Sequence, residues 1–168
     1  MYFDLIDSPV GGLLAASDGL ALTGLYFYDE RTCPEPQAGW RRVPNDSVLD
    51  ACRRQLAEYF KRARRRFDLP LAARGTAFQH KVWQALGNIA YGETRSYAQI
   101  AAAIGAPKSM RAVGAANGAN PISIVVPSHR VIGADGSLTG YGGGLERKRA
   151  LLALEAPSAP RAPLTQGR

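Results

Sequence analysis

Asn120-Pro121-Ile122-Ser123-Ile124-Val125-Val126-Pro127-Ser128-His129-Arg130-Val131 is the stretch on which the reading of this chain turns. Its apolar run, Ile122 to Val126, is stopped by Pro127, and a Ser-His-Arg triplet follows at once. A buried strand that hands polar side chains to a sharp turn is a common way to build a reactive site. Taken alone, the triplet is read better as a core strand ending in an ordinary polar turn. The surroundings move that balance. Asn120-Pro121 opens the stretch, Gly140-Tyr141-Gly142-Gly143-Gly144 follows it, and a helical segment ending in Glu155 closes it.

Upstream, Thr76-Ala77-Phe78-Gln79 has the pattern of a capping box, in which a hydroxyl bonds forward and an amide reaches back. The helix it opens turns Phe78, Val82, Ala85, Leu86 and Ile89 toward a core, and Tyr91-Gly92-Glu93-Thr94 breaks it. Ser96-Tyr97-Ala98-Gln99 is a second capping box, starting a helix that stops at Gly105. A third helix is expected from about Ser109 to Asn117 or Gly118, so the pair reads as a helix-turn-helix. Arg111-Ala112-Val113-Gly114-Ala115-Ala116 carries little side-chain bulk beyond its arginine. Small residues weaken a helix but let its backbone approach another surface closely. Tight packing on a neighbouring helix and contact with a ligand backbone explain that equally well. Downstream, Val131-Ile132 continue the strand, Ala134 to Ser137 make a turn, and a helix from about Glu146 to Glu155 buries Leu151, Leu152 and Leu154.

The first seventy or so residues read as a scaffold. Strands are expected at residues 2–7, 12–17 and 20–27, with a tight turn at Asp18-Gly19. A Pro/Gly/Arg-rich connection runs from Arg31 to Asn45. Asp46 or Ser47 then caps a helix whose apolar face holds Val48, Cys52, Leu56 and Phe60. The basic run Lys61 to Arg66 reads better as a solvated linker than as a phosphate contact. These boundaries give a scaffold domain at 1–72, a second domain at 73–156, and a proline-containing disordered tail at 157–168.

Composition narrows the function. With 168 residues and 46% hydrophobic content, a packed core is feasible. Net charge is +7, and 17 of the 21 basic residues are arginine, whose planar fork suits phosphate. Two cysteines, Cys33 and Cys52, and two histidines, His80 and His129, support neither a disulfide framework nor a zinc site. No metal or cofactor is expected. No apolar run approaches the ~20 residues of a membrane span, and the N-terminus lacks a signal-peptide pattern, so a soluble cytoplasmic protein is expected.

Pro127-Ser128-His129-Arg130 resembles the Pro-Cys-His-Arg active-site motif of the O6-alkylguanine-DNA alkyltransferases, with serine where the reactive cysteine stands. The likeness extends through Arg111-Ala112-Val113-Gly114, Asn120-Pro121 and Thr139 to Gly144, and is weaker over the first seventy residues. It implies an α/β (α+β) fold: an N-terminal ribonuclease-H-like three-stranded sheet with a helix, then a mostly helical domain bearing the helix-turn-helix. It also implies duplex DNA containing O6-alkylguanine as partner, read without a membrane and by a monomer, with cooperation along DNA left open.

The same resemblance assigns roles. Ser128 takes the nucleophile position, His129 acts as base through a water, Glu155 orients His129, and Asn120 fixes the local turn. Arg111 fills the space of an extruded nucleotide, and Ala112, Gly114, Ser96 and Tyr97 lie against DNA. Pro127, Val131, Tyr141 and Gly142 line the base pocket, which Gly142 leaves roomier than a hydroxyl residue would. Serine departs from the family's chemistry, because its hydroxyl is far less acidic than a thiol of pKa ~8.5. The chain is therefore expected to bind the lesion without accepting the alkyl group. Either an engineered Cys→Ser change or a natural alkyltransferase-like protein would give this, and retention of Asn120, His129 and Glu155 favours the first. Two other classes fit worse. A helix-turn-helix regulator would need base-reading side chains that the helix around Gly114 lacks. A serine hydrolase would need the G-x-S-x-G elbow, which is absent.

Overall fold

The structure, a computed structural model, describes residues 1–157; the expected tail falls almost wholly outside them. Strands β1 (Tyr2–Ile6), β2 (Leu13–Ser17) and β3 (Leu22–Phe27) form an antiparallel meander. Asp18 shapes the turn between β2 and β3, its Oδ1 accepting the Leu20 and Ala21 N–H groups at 2.8 Å each, while Gly19 takes φ +93°. A two-residue strand β4 (Arg41–Arg42) adds itself parallel to β1, so the sheet order is β3-β2-β1-β4. It emerges from the segment that reads as a mere connection, and Arg42 pairs there with the buried Asp4 at 3.1 Å.

Helix α1 (Ser47–Phe60) is capped by Asp46, which accepts the Leu49 N–H at 3.1 Å. It lays Val48, Leu49, Cys52, Leu56 and Tyr59 on the sheet. The expected face ended at Phe60; the structure buries Tyr59 completely and leaves Phe60 half-buried. At 100° per residue both lie near the stripe, and a hydroxyl partner decides for Tyr59.

The second half packs α2 (Ala77–Gly87), α3 (Tyr97–Ala103) and α4 (Met110–Gly118) around Val82, Trp83, Leu86, Ile100, Val113 and Val131. Both capping boxes are formed, on Thr76/Gln79 and Ser96/Gln99. The short strands β5 (Arg95–Ser96) and β6 (Val131–Ile132) pair in parallel, and α5 (Leu145–Glu155) closes the chain. Of the leucines expected inside on α5, Leu151 is fully buried, and Leu152 and Leu154 are half-buried.

The expected strand at 122–126 is not there. Ile122 makes one bridge to Leu25 of β3, with Leu25 N donating to Pro121 O at 2.8 Å and Ser123 N to Leu25 O at 2.9 Å. The chain then leaves the ladder. Further along, the same edge of β3 is taken by Leu71, through Leu22. The apolar run reports burial correctly and conformation wrongly, because a side chain can be buried from a turn as well as from a strand. Ile122 and Ile124 enter the core of the N-terminal sheet together with Leu151 of α5. The site thus sits on a seam between the two halves.

Candidate active site

From Ile122 to Arg130 the backbone is a chain of tight turns. Val126 N donates to Ile122 O at 3.0 Å, and within that loop Val125 N donates to Ser123 O at 2.8 Å. The latter closes a three-residue turn on Ile124 at φ +70°, a conformation that is rare and strained for a β-branched residue. Such strain costs on the order of 1–3 kcal/mol and persists only where surrounding packing imposes it; here Ile124 is 1% exposed within the sheet core. Pro127, at φ −83° and ψ 63°, makes the common inverse form of the same turn, with Ser128 N donating to Val126 O at 2.8 Å. A single 3-10 turn, Ser128–Arg130, follows.

Asn120 ties these turns together. Its Oδ1 accepts the Ile122 N–H at 2.9 Å, and its Nδ2 donates to Val126 O at 2.8 Å and to Ser128 Oγ at 3.0 Å. Pro127, Ser128, His129 and Arg130 are all buried. Asn117, at the end of α4, donates through Nδ2 to Ser128 O at 3.3 Å, so the near-bare helix is tied directly to the turn at Ser128.

Behind Ser128 lies a carboxylate saturated with donors. Glu155 Oε2 accepts from Tyr59 Oη at 2.6 Å, His129 Nε2 at 2.8 Å and Arg130 Nη2 at 3.0 Å. Its Oε1 accepts from Arg130 Nε at 2.7 Å, and Arg130 Nη1 is spent on Ile89 O at 2.7 Å. Burial by itself pushes the Glu155 carboxyl up, but the bonds from His129, Arg130 and Tyr59 together outweigh it and hold the group down at about 2. Burial pushes the fully enclosed His129 the other way, below the ordinary imidazole range, against the pull of Glu155. A depressed imidazole and a carboxylate lowered by imidazolium charge cannot both hold at rest. With the Arg130 fork already neutralising Glu155, the neutral ring is the consistent state. Nε2 then carries the proton toward Glu155, and Nδ1, which has no hydrogen-bond partner among the described residues, is left with its lone pair.

The glycine-rich loop covers this group. Tyr141 sets its ring edge-on to His129 at 6.5 Å and to Phe27 at 6.3 Å, and burial pushes its hydroxyl up. Gly143 has no room for a side chain, since a Cβ would lie 2.6 Å from the Phe27 ring. Gly142 faces Glu30, whose Oε1 is 3.5 Å from where a Cβ would stand. Thr139 O receives Tyr97 Oη at 3.0 Å and Lys148 Nζ at 2.8 Å. Burial lowers Lys148 to about 8.

The structure therefore brings Asn120, Pro127, Ser128, His129, Tyr141 and Glu155 to one place, with Val131 buried at the end of the turn. Arg111 and Ala112 are exposed on α4, and Gly114 is half-exposed with only the Tyr97 ring near it, at 3.9 Å. The Ser96 hydroxyl oxygen accepts the Gln99 N–H as the cap of α3. Two participants went unread in the sequence. Arg130 stood inside the quoted motif without a role. Tyr59 lay 96 positions from Glu155 with nothing local to mark it. Among the described residues no group of three or more His, Cys, Asp or Glu could hold a metal ion, and no helix is long and apolar enough to cross a membrane.

A sheet-and-helix half joined to a helix-turn-helix half, with a Ser-His-Glu group on the seam, defines the class. Residues 1–73 match the ribonuclease-like domain of 6-O-methylguanine DNA methyltransferase, and residues 77–157 match its DNA binding domain. The chain belongs to that family. It is 51% identical over 160 residues to a methylated-DNA--protein-cysteine methyltransferase of Mycobacterium tuberculosis, covering 95% of each chain. It is 48% identical over 155 residues to one of Methanosarcina barkeri, covering 92% of this chain and 97% of that one. A crystal structure of Mycobacterium tuberculosis OGT in complex with DNA superposes with a TM-score of 0.85 at 50% identity, covering 94% of this chain and 96% of that one.

Proposed function

We propose that the chain is a DNA repair alkyltransferase scaffold that recognises O6-alkylguanine, or O4-alkylthymine, in duplex DNA, and that Ser128 stops it at the bound complex. The observation that carries this reading is Ser128 Oγ held by Asn120 beside the His129–Glu155–Arg130 group. It is supported by the 50% identical DNA complex.

In the reaction of the family, a bond forms from the nucleophile to the alkyl carbon as the bond from that carbon to guanine O6 breaks. The departing base takes up a proton. The nucleophile must first lose its own, and His129 Nδ1 is the base that would receive it through an intervening water. Glu155 then stabilises the imidazolium. A thiol near ~8.5 meets that demand; each further unit of acidity missing from a hydroxyl adds ~1.4 kcal/mol. Serine enzymes overcome the deficit by stabilising a tetrahedral oxyanion, which displacement at an alkyl carbon does not form. Arg111 would take the space of the extruded nucleotide, with Ala112 and Gly114 letting α4 lie close to DNA and Ser96 and Tyr97 at its border. Pro127, Val131, Tyr141 and Gly142 would line the pocket, with residues 1–72 as its support.

The test is intact mass after incubation with duplex DNA bearing O6-methylguanine, on this chain and on Ser128→Cys side by side. A single methyl gained by the cysteine form alone supports the reading. Binding by both forms with reaction by neither would instead favour a non-enzymatic lesion-recognition protein, and absence of binding by either would sink both.

A further inference from the structure

We propose that Tyr59, which belongs to the N-terminal scaffold, is a positioning residue of the reactive group: its hydroxyl fixes Glu155 and thereby governs how readily His129 takes a proton. The residue is fully buried, and its 2.6 Å bond to Glu155 Oε2 is the shortest of the four that carboxylate receives. It lands on the same oxygen that accepts His129 Nε2, so the two donors compete for one atom's charge. The ring is held from several sides, against Phe60 at 5.1 Å, Phe67 at 5.4 Å and Tyr91 at 6.3 Å.

A donor that draws charge from Oε2 weakens the carboxylate's hold on an imidazolium, so Tyr59 keeps His129 neutral at rest and its Nδ1 lone pair available. The other groups facing His129 are Arg130 on its own turn, Lys148 from α5 and the ring of Tyr141 from the loop. The first two oppose its protonation, and neither lies on the N-terminal half. Tyr59 is the contribution of that half to the proton balance of the site.

The first arm needs no catalytic assumption. The imidazole resonances of His129 are titrated by NMR in the chain as it stands, in Tyr59→Phe, and in Phe60→Leu as a packing control. Tyr59→Phe should move the His129 titration to higher pH, while Phe60→Leu should lower thermal stability and leave it unmoved. An unmoved titration in a folded Tyr59→Phe overturns the proposal, as does an equal movement in Phe60→Leu. Should Tyr59→Phe fail to fold, site-specific replacement of Tyr59 by a ring-fluorinated tyrosine keeps the packing and makes the hydroxyl a stronger donor to Glu155. The His129 titration should then move to lower pH, and an unmoved titration overturns the proposal. The second arm rests on the proposed alkyl transfer. In a Ser128→Cys background, Tyr59→Phe should change the transfer rate about tenfold and shift its pH profile, with binding of the lesion duplex by the serine form unaltered. If Ser128→Cys does not react at all, the alkyltransferase reading fails while the titration still decides on Tyr59.

Discussion

Helices α2 and α3 are built on one plan and helices α4 and α5 on another. The first two begin with complete capping boxes, Thr76 with Gln79 and Ser96 with Gln99, so their ends are satisfied by residues within four positions. The second two have no side-chain cap: Ser109 makes no such bond, and α5 starts at Gly144 with φ +91°. Instead α4 is held by Trp83 Nε1 donating to Ala116 O at 2.9 Å and by Asn117 reaching Ser128 O. At the start of α5, Arg147 bonds back to Val10 O, Gly143 O and Asp29, and Lys148 to Thr139 O. Arg147, Lys148 and Arg149 lie near the N-terminus of α5 and oppose its dipole, only partly offset by Glu146 in the first turn, so these long-range bonds help hold the helix start. The locally capped pair forms the frame. The pair that depends on the rest of the molecule carries Arg111 and Glu155, so the fold as a whole sets the position of those two side chains.

The largest expected effect breaks the dependent pair. Glu155→Gln leaves Arg130 buried without its counter-charge, and should cost about 3–5 kcal/mol in chemical denaturation, far more than any cap. The same carboxylate sets an acid limit. Its pKa is depressed in the folded state, so its stabilisation is complete above about 4.5 and is lost as pH falls toward about 2. The loss amounts to roughly 3 kcal/mol, readable from stability measured across that window and absent from Glu155→Gln.

Next come the self-contained helices. Thr76→Ala and Ser96→Ala should each cost about 1 kcal/mol, and the two should add, since local caps share no partner. Strong coupling between them would show that the frame is less local than its sequence suggests. The smallest stability effect has the opposite sign. Gly114→Ala meets only the Tyr97 ring at 3.9 Å, so it should stabilise the protein by roughly 0.5–1 kcal/mol in thermal melts. If α4 lies against DNA, the same change should weaken lesion binding; unchanged affinity would move the DNA surface elsewhere.

The helices and hairpin were legible because their signals lie within a few residues of one another. Asp18-Gly19, Asp46, Thr76/Gln79 and Ser96/Gln99 each act on their own backbone. The turn at 122–126 reads as a strand from its apolar composition, which reports depth, and only the left-handed Ile124, which takes the chain off the ladder after one bridge to Leu25, decides the path. Among the site residues, the motif at Pro127 to Arg130 and the distant Glu155 could be picked out only by resemblance to a family. Composition and spacing gave no reason to join them.

The sequence by itself determined where the capped helices begin and which face of α1 and α2 turns inward. Only the tertiary structure decided that Tyr59 meets Glu155, that Asn117 links α4 to the turn at Ser128, and that His129 is enclosed against Glu155. The division has one physical cause. Capping and helical periodicity act over a few residues of chain, whereas a buried carboxylate chooses its donors from whatever the packed core brings within hydrogen-bond reach.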